Sequence, residues 1–147
     1  MIDQAKRLLD EGDYTCVICG ENLTLTATER GVKHLATWLE EGRNLAGCWA
    51  ADKVVGKATA YLYCLLKVRG VYARVMSRPA LEVLRANGIE ARYDNLVEYI
   101  INRRGDGMCP FEQAVLEAEN PASAWPLIRQ KTADAVNSSC VFGKDCI

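Results

Sequence analysis

The chain has 147 residues, of which 50% are apolar and only 4 are proline, a composition that excludes a disordered or collagen-like polymer. Its 18 basic and 19 acidic residues give a net charge of -1, so bulk electrostatics would not attract it to nucleic acid or to an anionic membrane. No segment reaches the roughly 20 apolar residues of a membrane span, and the N-terminus lacks the apolar run of a signal peptide. We therefore expect a cytoplasmic protein, with no membrane and no nucleic acid among its partners.

The first part of the chain predicts a helix, a hairpin and a second helix. Apolar residues at helical spacing from Ile2 to Leu9 indicate the first helix. The β-rich runs Thr15–Gly20 and Leu23–Ala27 flank a turn and indicate two antiparallel strands. Apolar spacings of three and four residues over Gly31–Glu41 predict an amphipathic helix.

The middle of the chain predicts alternating strands and helices. Ala46–Ala51 is an apolar run without alternation, as expected for a strand covered on both faces. Asp52 follows it as the expected N-cap of a helix that ends at Gly70. The run Val71–Met76 predicts the next strand.

A further helix is predicted from Pro79 to Asn87, closed by a Schellman-type turn in which Ile89 packs on Leu84. Glu90–Tyr93 predicts a short strand after it. Strand-helix-strand alternation with short links requires right-handed crossovers, which predicts a largely parallel sheet of the α/β class with the hairpin at one edge.

Three more segments are predicted as helices, namely one or two turns over Leu96–Ile101, then Cys109–Glu119 and Pro121–Val136. The last residues, 137–147, have little periodicity and are expected to form a loosely held tail. No repeat or linker divides residues 1–136, so we expect a single domain there.

Three stretches resemble a prokaryotic family of uncharacterised proteins with a cytidine-deaminase-like fold. They are Ala50–Ala60, Val71–Leu84 and Ile101–Glu112, and the likeness covers roughly residues 14–128. The resemblance implies a three-layer α/β/α sandwich with a mixed sheet and an antiparallel edge hairpin. The function of that family is not established.

The same resemblance allows a test for zinc chemistry. Zinc deaminases have His-x-Glu or Cys-x-Glu at the start of one helix and Pro-Cys-x-x-Cys at the start of the next. Here Asp52-Lys53-Val54 stands at the first position, and Ala80 and Val83 stand where the two thiolates would be. Since alanine and valine cannot bind a metal, we expect no metal, no cofactor and no base deamination.

The predicted binding site is a crevice at the carboxyl ends of the parallel strands. Asp52 and Ser77 follow two such strands, Lys53 opens a helix, and Asn102 and Arg103 come from the glycine-rich loop before residue 109. Helix N-termini and an arginine favour a small polar or phosphate-bearing ligand, including a nucleotide-like one. The alternative is structural: Asp52 and Ser77 merely cap helices, and Lys53 is solvated.

Cys109 is the candidate nucleophile or redox centre of an alternative, enzymatic function. It precedes Pro110 at a predicted helix start, where the helix dipole and nearby Arg103 or Arg104 would lower the pKa of a thiol. Glu112, three residues past the cap, would oppose ionisation and complete a capping box. The alternative is a half-buried thiol that acts as a weak cap.

The remaining cysteines and the only histidine are expected to be structural. Cys16 and Cys19 lie three apart on a predicted strand and would point to opposite faces, so they could not bind one ion together. A four-thiolate site with Cys140 and Cys146 is the alternative. His34 has no ligand pattern around it and is expected to be exposed or hydrogen-bonded.

Three functions follow from these residues. The first is a domain that binds a small polar or nucleotide-like molecule through the predicted crevice. The second is a cysteine-dependent enzyme that uses Cys109. The third is an interaction module whose apolar edge forms a homo-oligomer.

Overall fold

The computed structural model describes residues 2–28, 32–101 and 109–137, with side chains described to Thr132. The helices are α1 (Ile2–Glu11), α2 (Lys33–Glu40), α3 (Lys57–Leu66), α4 (Arg78–Ala86), α5 (Pro110–Ala114) and α6 (Pro121–Asn137). The strands are β1 (Cys16–Cys19), β2 (Thr24–Ala27), β3 (Trp49–Val55), β4 (Gly70–Ser77) and β5 (Glu90–Val97).

The strands form one five-stranded mixed sheet in the order β2-β1-β3-β4-β5. β1 pairs antiparallel with both β2 and β3, while β3, β4 and β5 are parallel. Helix α1 covers one face through Val17, Ala51 and Tyr72, and the larger core on the opposite face includes residues of α2 to α6. The predicted α/β class, with a mixed sheet and a hairpin at its edge, is confirmed.

Both ends of α4 follow the local sequence rules. Ser77 is its N-cap, and the Ser77 hydroxyl accepts a hydrogen bond of 3.2 Å from Ala80 N. At the other end Gly88 has a φ of +73°, and Ile89 N donates to Leu84 O at 2.9 Å, as a Schellman turn requires. The predicted cap and closure are therefore confirmed.

The predicted boundary between β3 and α3 is wrong. The strand does not end at Ala51 but continues to Val55, so Asp52 lies within β3 and the N-cap of α3 is Gly56. β-branched Val54 and Val55 favour the extended backbone. The helix also does not end at Gly70, which begins β4, because Lys67 already adopts the left-handed conformation with a φ of 65°.

Two predictions in the C-terminal third also need correction. Leu96 and Val97 belong to β5, because they pair in parallel with Met76 and Ser77, and the predicted helix over Leu96–Ile101 is not formed. Helix α5 ends at Ala114 rather than Glu119. Helix α6 lies close to its prediction, and the predicted tail beyond it falls outside the described residues.

Within the described part of the chain, every helix is too short or too polar to traverse a bilayer.

Candidate functional site

The predicted crevice does not bring Asp52 and Ser77 together. In the parallel register Asp52 pairs with Ala73, which lies four residues before Ser77 on β4. Four residues of extended strand span about 13 Å. The carboxyl ends of β3 and β4 instead carry Gly56 and Ser77. Ser77 therefore lies at the carboxyl end of its strand, as predicted, whereas Asp52 lies in the middle of β3.

Lys53 is also not placed beside Ser77 at the carboxyl ends of the strands. Lys53 follows Asp52 in β3, where successive side chains point to opposite faces, so Lys53 does not open a helix and does not share a face with Asp52. Asn102 and Arg103 lie outside the described residues. The predicted convergence of these groups is wrong for Asp52 and Lys53.

A carboxylate of the protein itself occupies the N-terminus of α3. Glu112 on α5 is 5% exposed, and its Oε2 accepts a hydrogen bond of 2.6 Å from Lys57 N. Burial raises the pKa of Glu112, and the neighbouring backbone N–H groups of Lys57 and Ala58 oppose that rise. An anionic ligand at this helix end would have to displace the Glu112 carboxylate. The N-terminus of α3 is therefore not free to bind a phosphate group in the way the sequence predicts.

Cys109 is the N-cap of α5, as predicted, but its side chain makes no capping hydrogen bond. The residue is 6% exposed, and Cys109 N donates to Ile100 O at 2.9 Å. The predicted capping box is wrong because Glu112 binds the N-terminus of α3 instead of that of its own helix. Burial also removes the exposure that a reactive cysteine needs.

A buried polar cluster connects β1, β3 and α3. Tyr63 donates a hydrogen bond of 2.7 Å to Asp52 Oδ2, and Cys16 Sγ lies 3.2 Å from the same hydroxyl oxygen. Asp52 Oδ1 accepts a weaker bond of 3.3 Å from Val54 N. Burial raises the pKa of Asp52 to about 7 and that of Cys16 well above its ordinary value. Tyr63 thus satisfies both neighbours with one hydroxyl group.

His34 contradicts its prediction. It lies in the first turn of α2 and is 6% exposed, and neither ring nitrogen has a hydrogen-bond partner among the residues that the structure describes. Burial lowers its pKa to about 4, so the imidazole is neutral at pH 7. The ring packs edge-on against Trp38 with centroids 5.5 Å apart. A buried polar group without a partner is uncommon and requires an explanation.

His34 approaches the buried polar cluster. One ligand-type atom from each of Cys16, His34 and Asp52 lies within 4.8 Å of the other two. Sequence patterns do not reveal this group, because its members are 18 residues apart at each step and belong to three elements. The available signals are an acidic residue in an apolar strand and a single histidine on an amphipathic helix.

An open pocket of about 350 Å³ lies beside His34. Its lining is made by the end of β2 and by α2, and consists of Thr26, Ala27, Thr28, His34, Thr37 and Trp38. We call it the threonine pocket. None of these lining residues carries a charge at pH 7, because His34 is neutral there.

A second depression of about 250 Å³ lies between α3 and α4. Its lining includes Lys57, Pro79, Glu82 and Glu119 but none of the predicted site residues. It therefore does not correspond to the predicted crevice.

Comparison with known proteins identifies the family. The family model described as "TM1506: Domain of unknown function (DUF1893)" matches residues 4–132. Among solved structures, the chain is similar to the DUF1893 family protein TM1506 from Thermotoga maritima, with 27% identity and a TM-score of 0.78, over 90% of this chain and 88% of that one. No match was found among curated proteins.

Proposed function

This chain belongs to the DUF1893 family of domains of unknown function, and we propose from its own geometry that it binds a small uncharged polar molecule in the threonine pocket. The observation that carries the proposal is the lining of this pocket, in which three exposed threonines, Thr26, Thr28 and Thr37, surround one open volume. A volume of about 350 Å³ suits a small organic molecule.

The lining supports a hydrogen-bonded ligand with a flat apolar part. The hydroxyls of Thr26, Thr28 and Thr37 can each donate and accept a hydrogen bond. Trp38 adds an aromatic surface on which a ring can stack. A nucleoside combines these features, and it is the first class of ligand to test.

The pocket favours a neutral ligand over a phosphorylated one. Phosphate sites in proteins are built from arginine, lysine or helix N-terminal N–H groups. The lining residues include no arginine or lysine, and His34 is uncharged at pH 7 because burial lowers its pKa to about 4. We therefore propose nucleosides rather than nucleotides as ligands.

The proposal also includes a cytidine-deaminase-like fold and a cytoplasmic location. The mixed sheet with an antiparallel hairpin at its edge and helices on both faces supports the fold. The helix starts of such a fold carry Gly56-Lys57-Ala58 and Ser77-Arg78-Pro79 here. All five cysteines within the described ranges are free, which supports a reducing compartment.

Isothermal titration and thermal shift with nucleosides and their monophosphates test this function. We expect at least one nucleoside to raise the melting temperature, and to bind more tightly than its monophosphate. Thr37→Val removes one exposed pocket hydroxyl and should weaken binding about 3- to 10-fold, the effect of one hydrogen bond. Thr24→Val, on β2 but outside the lining, is the matched control.

Two results would reject the proposal. One is the absence of any stabilisation by millimolar nucleosides. The other is binding that Thr37→Val and Thr24→Val affect equally, since the ligand would then lie elsewhere on the protein.

A further inference from the structure

We propose that Cys16, His34 and Asp52 form a binding site for one transition-metal divalent cation, with Zn²⁺ as the best fit to the ligand set. This inference goes beyond the proposed function, because it concerns a cation held by the buried side chains of Cys16, His34 and Asp52. His34 is the one residue that also lines the threonine pocket. It rests on the placement of three ligand-type atoms and on one of the three groups, the imidazole of His34, which has no hydrogen-bond partner among the described residues.

The fold places Cys16 and Asp52 on one face of the sheet and His34 on the helix α2 that packs against that face. Cys16 of β1 pairs directly with Asp52 of β3 in the antiparallel register, and directly paired residues have their side chains on the same face of the sheet. His34 reaches the pair from α2. One ligand-type atom of each residue lies within 4.8 Å of the other two.

These distances are close to those of an occupied site. Zinc bonds of about 2.0–2.3 Å place the ligand atoms of a tetrahedral ion roughly 3.5 Å from each other. The three side chains must therefore approach one another by about 1 Å, which small side-chain rotations can achieve. No change in the backbone pairing of β1 with β3 is required.

His34 supplies an independent observation. Its ring is 6% exposed, and neither nitrogen has a partner within the described ranges. Burial without a hydrogen bond costs about 1–3 kcal/mol for each such group. A metal ion bound to one nitrogen removes that cost, whereas the hydrogen bonds within the cluster leave the imidazole unpartnered.

Tyr63 orients two of the proposed ligands by hydrogen bonds, as residues next to the ligands do in zinc sites. Its hydroxyl donates to Asp52 Oδ2 at 2.7 Å and lies 3.2 Å from Cys16 Sγ, so one residue orients two ligands. Each carboxylate oxygen has a second lone pair, so these hydrogen bonds do not prevent coordination.

The ligand types select among cations. A thiolate and an imidazole favour Zn²⁺ or Co²⁺ over Mg²⁺ and Ca²⁺, which prefer oxygen ligands. With the thiolate and carboxylate ionised, two negative charges balance a divalent ion, so the occupied site carries no net charge. Three protein ligands leave one position of a tetrahedral ion for water or another small ligand.

Titration of the untagged, full-length protein with Co²⁺ and Zn²⁺ tests this site. We expect one Co²⁺ per chain and a thiolate-to-cobalt charge-transfer band in the near ultraviolet, which Zn²⁺ displaces. Cys16→Ser should weaken binding about 100-fold or more. Removing a residue that only hydrogen-bonds to a metal ligand already costs about 10- to 100-fold, and Cys16 is itself a ligand. Cys19→Ser is the matched control, since both cysteines are 0% exposed but their side chains lie on opposite faces of the sheet.

Further variants keep the test decisive. His34→Gln should also weaken Co²⁺ binding about 100-fold. If circular dichroism shows that Cys16→Ser does not fold, His34→Gln takes its place in the titration. Unchanged affinity in either folded variant overturns the site, as does the absence of stoichiometric Co²⁺ binding. Loss of binding in a Cys140→Ser, Cys146→Ser double variant also overturns it, because the ion would then be held by the C-terminal residues. Thr37→Val should leave metal binding unchanged, so failure of this site and failure of the threonine pocket are distinguishable.

Discussion

Gly56 lies so close to Glu112 that the two residues have to be considered together. A Cβ atom on Gly56 would come within 2.7 Å of both Cδ and Oε1 of Glu112, and within 3.0 Å of Ile100 Cγ1. The absence of a side chain at residue 56 allows the carboxylate to reach Lys57 N at 2.6 Å. The start of α3 is therefore capped from another helix, 55 residues further along the chain.

We predict that Gly56→Ala lowers the free energy of unfolding by about 1–3 kcal/mol, the usual cost of overpacking a core. Backbone strain is not the reason, since Gly56 has a φ of -98° and a ψ of -177°, which alanine adopts readily. The cost arises because the methyl group displaces the Glu112 carboxylate. Urea denaturation of the two proteins measures it.

A double-mutant cycle separates this contact from other effects of the methyl group. In a Glu112→Ala background the carboxylate is absent, so Gly56→Ala should cost about 1 kcal/mol less than it does in the wild type. Additive costs of the two substitutions would show that Gly56 and Glu112 do not interact.

Glu112 should also give the protein a pH-dependent stability. Burial raises its pKa above the ordinary value of 4.5, so the folded chain holds this proton more tightly than the unfolded chain does. Its contribution to the free energy of unfolding is therefore largest below pH 4.5 and decreases as the pH rises through the elevated pKa. The decrease amounts to about 1.4 kcal/mol for each unit by which the pKa is raised.

Glu112→Gln removes this titration and isolates its effect. The free energy of unfolding of the wild type minus that of Glu112→Gln should fall as the pH rises above 4.5, as measured by urea denaturation at a series of pH values. Other buried groups such as Asp52 are common to both proteins and cancel in the difference. A difference that stays constant or increases with pH would contradict the assignment.

The sequence predicts α4 well and the start of α3 poorly, for a physical reason. Ser77 and the turn at Gly88 act on backbone groups within a few residues of themselves, so short windows of sequence contain the whole interaction. By local sequence rules Asp52 and Glu112 are equally good helix-capping residues, but the hydrogen-bond donor of each carboxylate lies elsewhere in the chain. Tyr63 binds Asp52 within the core, and Lys57 N takes Glu112 away from its own helix.

The candidate metal site was beyond sequence prediction for the same reason. Cys16 and Asp52 become neighbours only through strand pairing, and His34 joins them only when α2 packs on the sheet. The sequence did predict correctly that Cys16 and Cys19 lie on opposite faces of one strand, because alternation is a local property.

Tyr63 and Tyr61 allow a matched comparison of two buried hydroxyls. Tyr63 donates to the Asp52 carboxylate at 2.7 Å, whereas Tyr61 donates to the Ala118 carbonyl at 2.8 Å. Above about pH 8, where Asp52 is ionised, we expect Tyr63→Phe to lower the free energy of unfolding by about 1.5–3 kcal/mol and Tyr61→Phe by about 0.5–1.5 kcal/mol, because bonds to charged groups are stronger. Urea denaturation in the presence of a chelator measures both without a bound cation. Equal losses would indicate that Asp52 does not depend on the Tyr63 hydroxyl.

Alkylation of Cys109 tests whether its thiol is available for chemistry in the folded protein. The residue is 6% exposed, so iodoacetamide should label it at least about 100-fold more slowly in the native protein than in urea, where the chain is open. Mass spectrometry of the digested protein resolves each cysteine. Cys64 is the internal comparison: it is partly exposed, but burial raises its pKa to about 12, so it should react slowly as well. Native labelling of Cys109 at the rate of a free thiol would instead support the cysteine-dependent enzyme, because only an accessible thiolate reacts that fast.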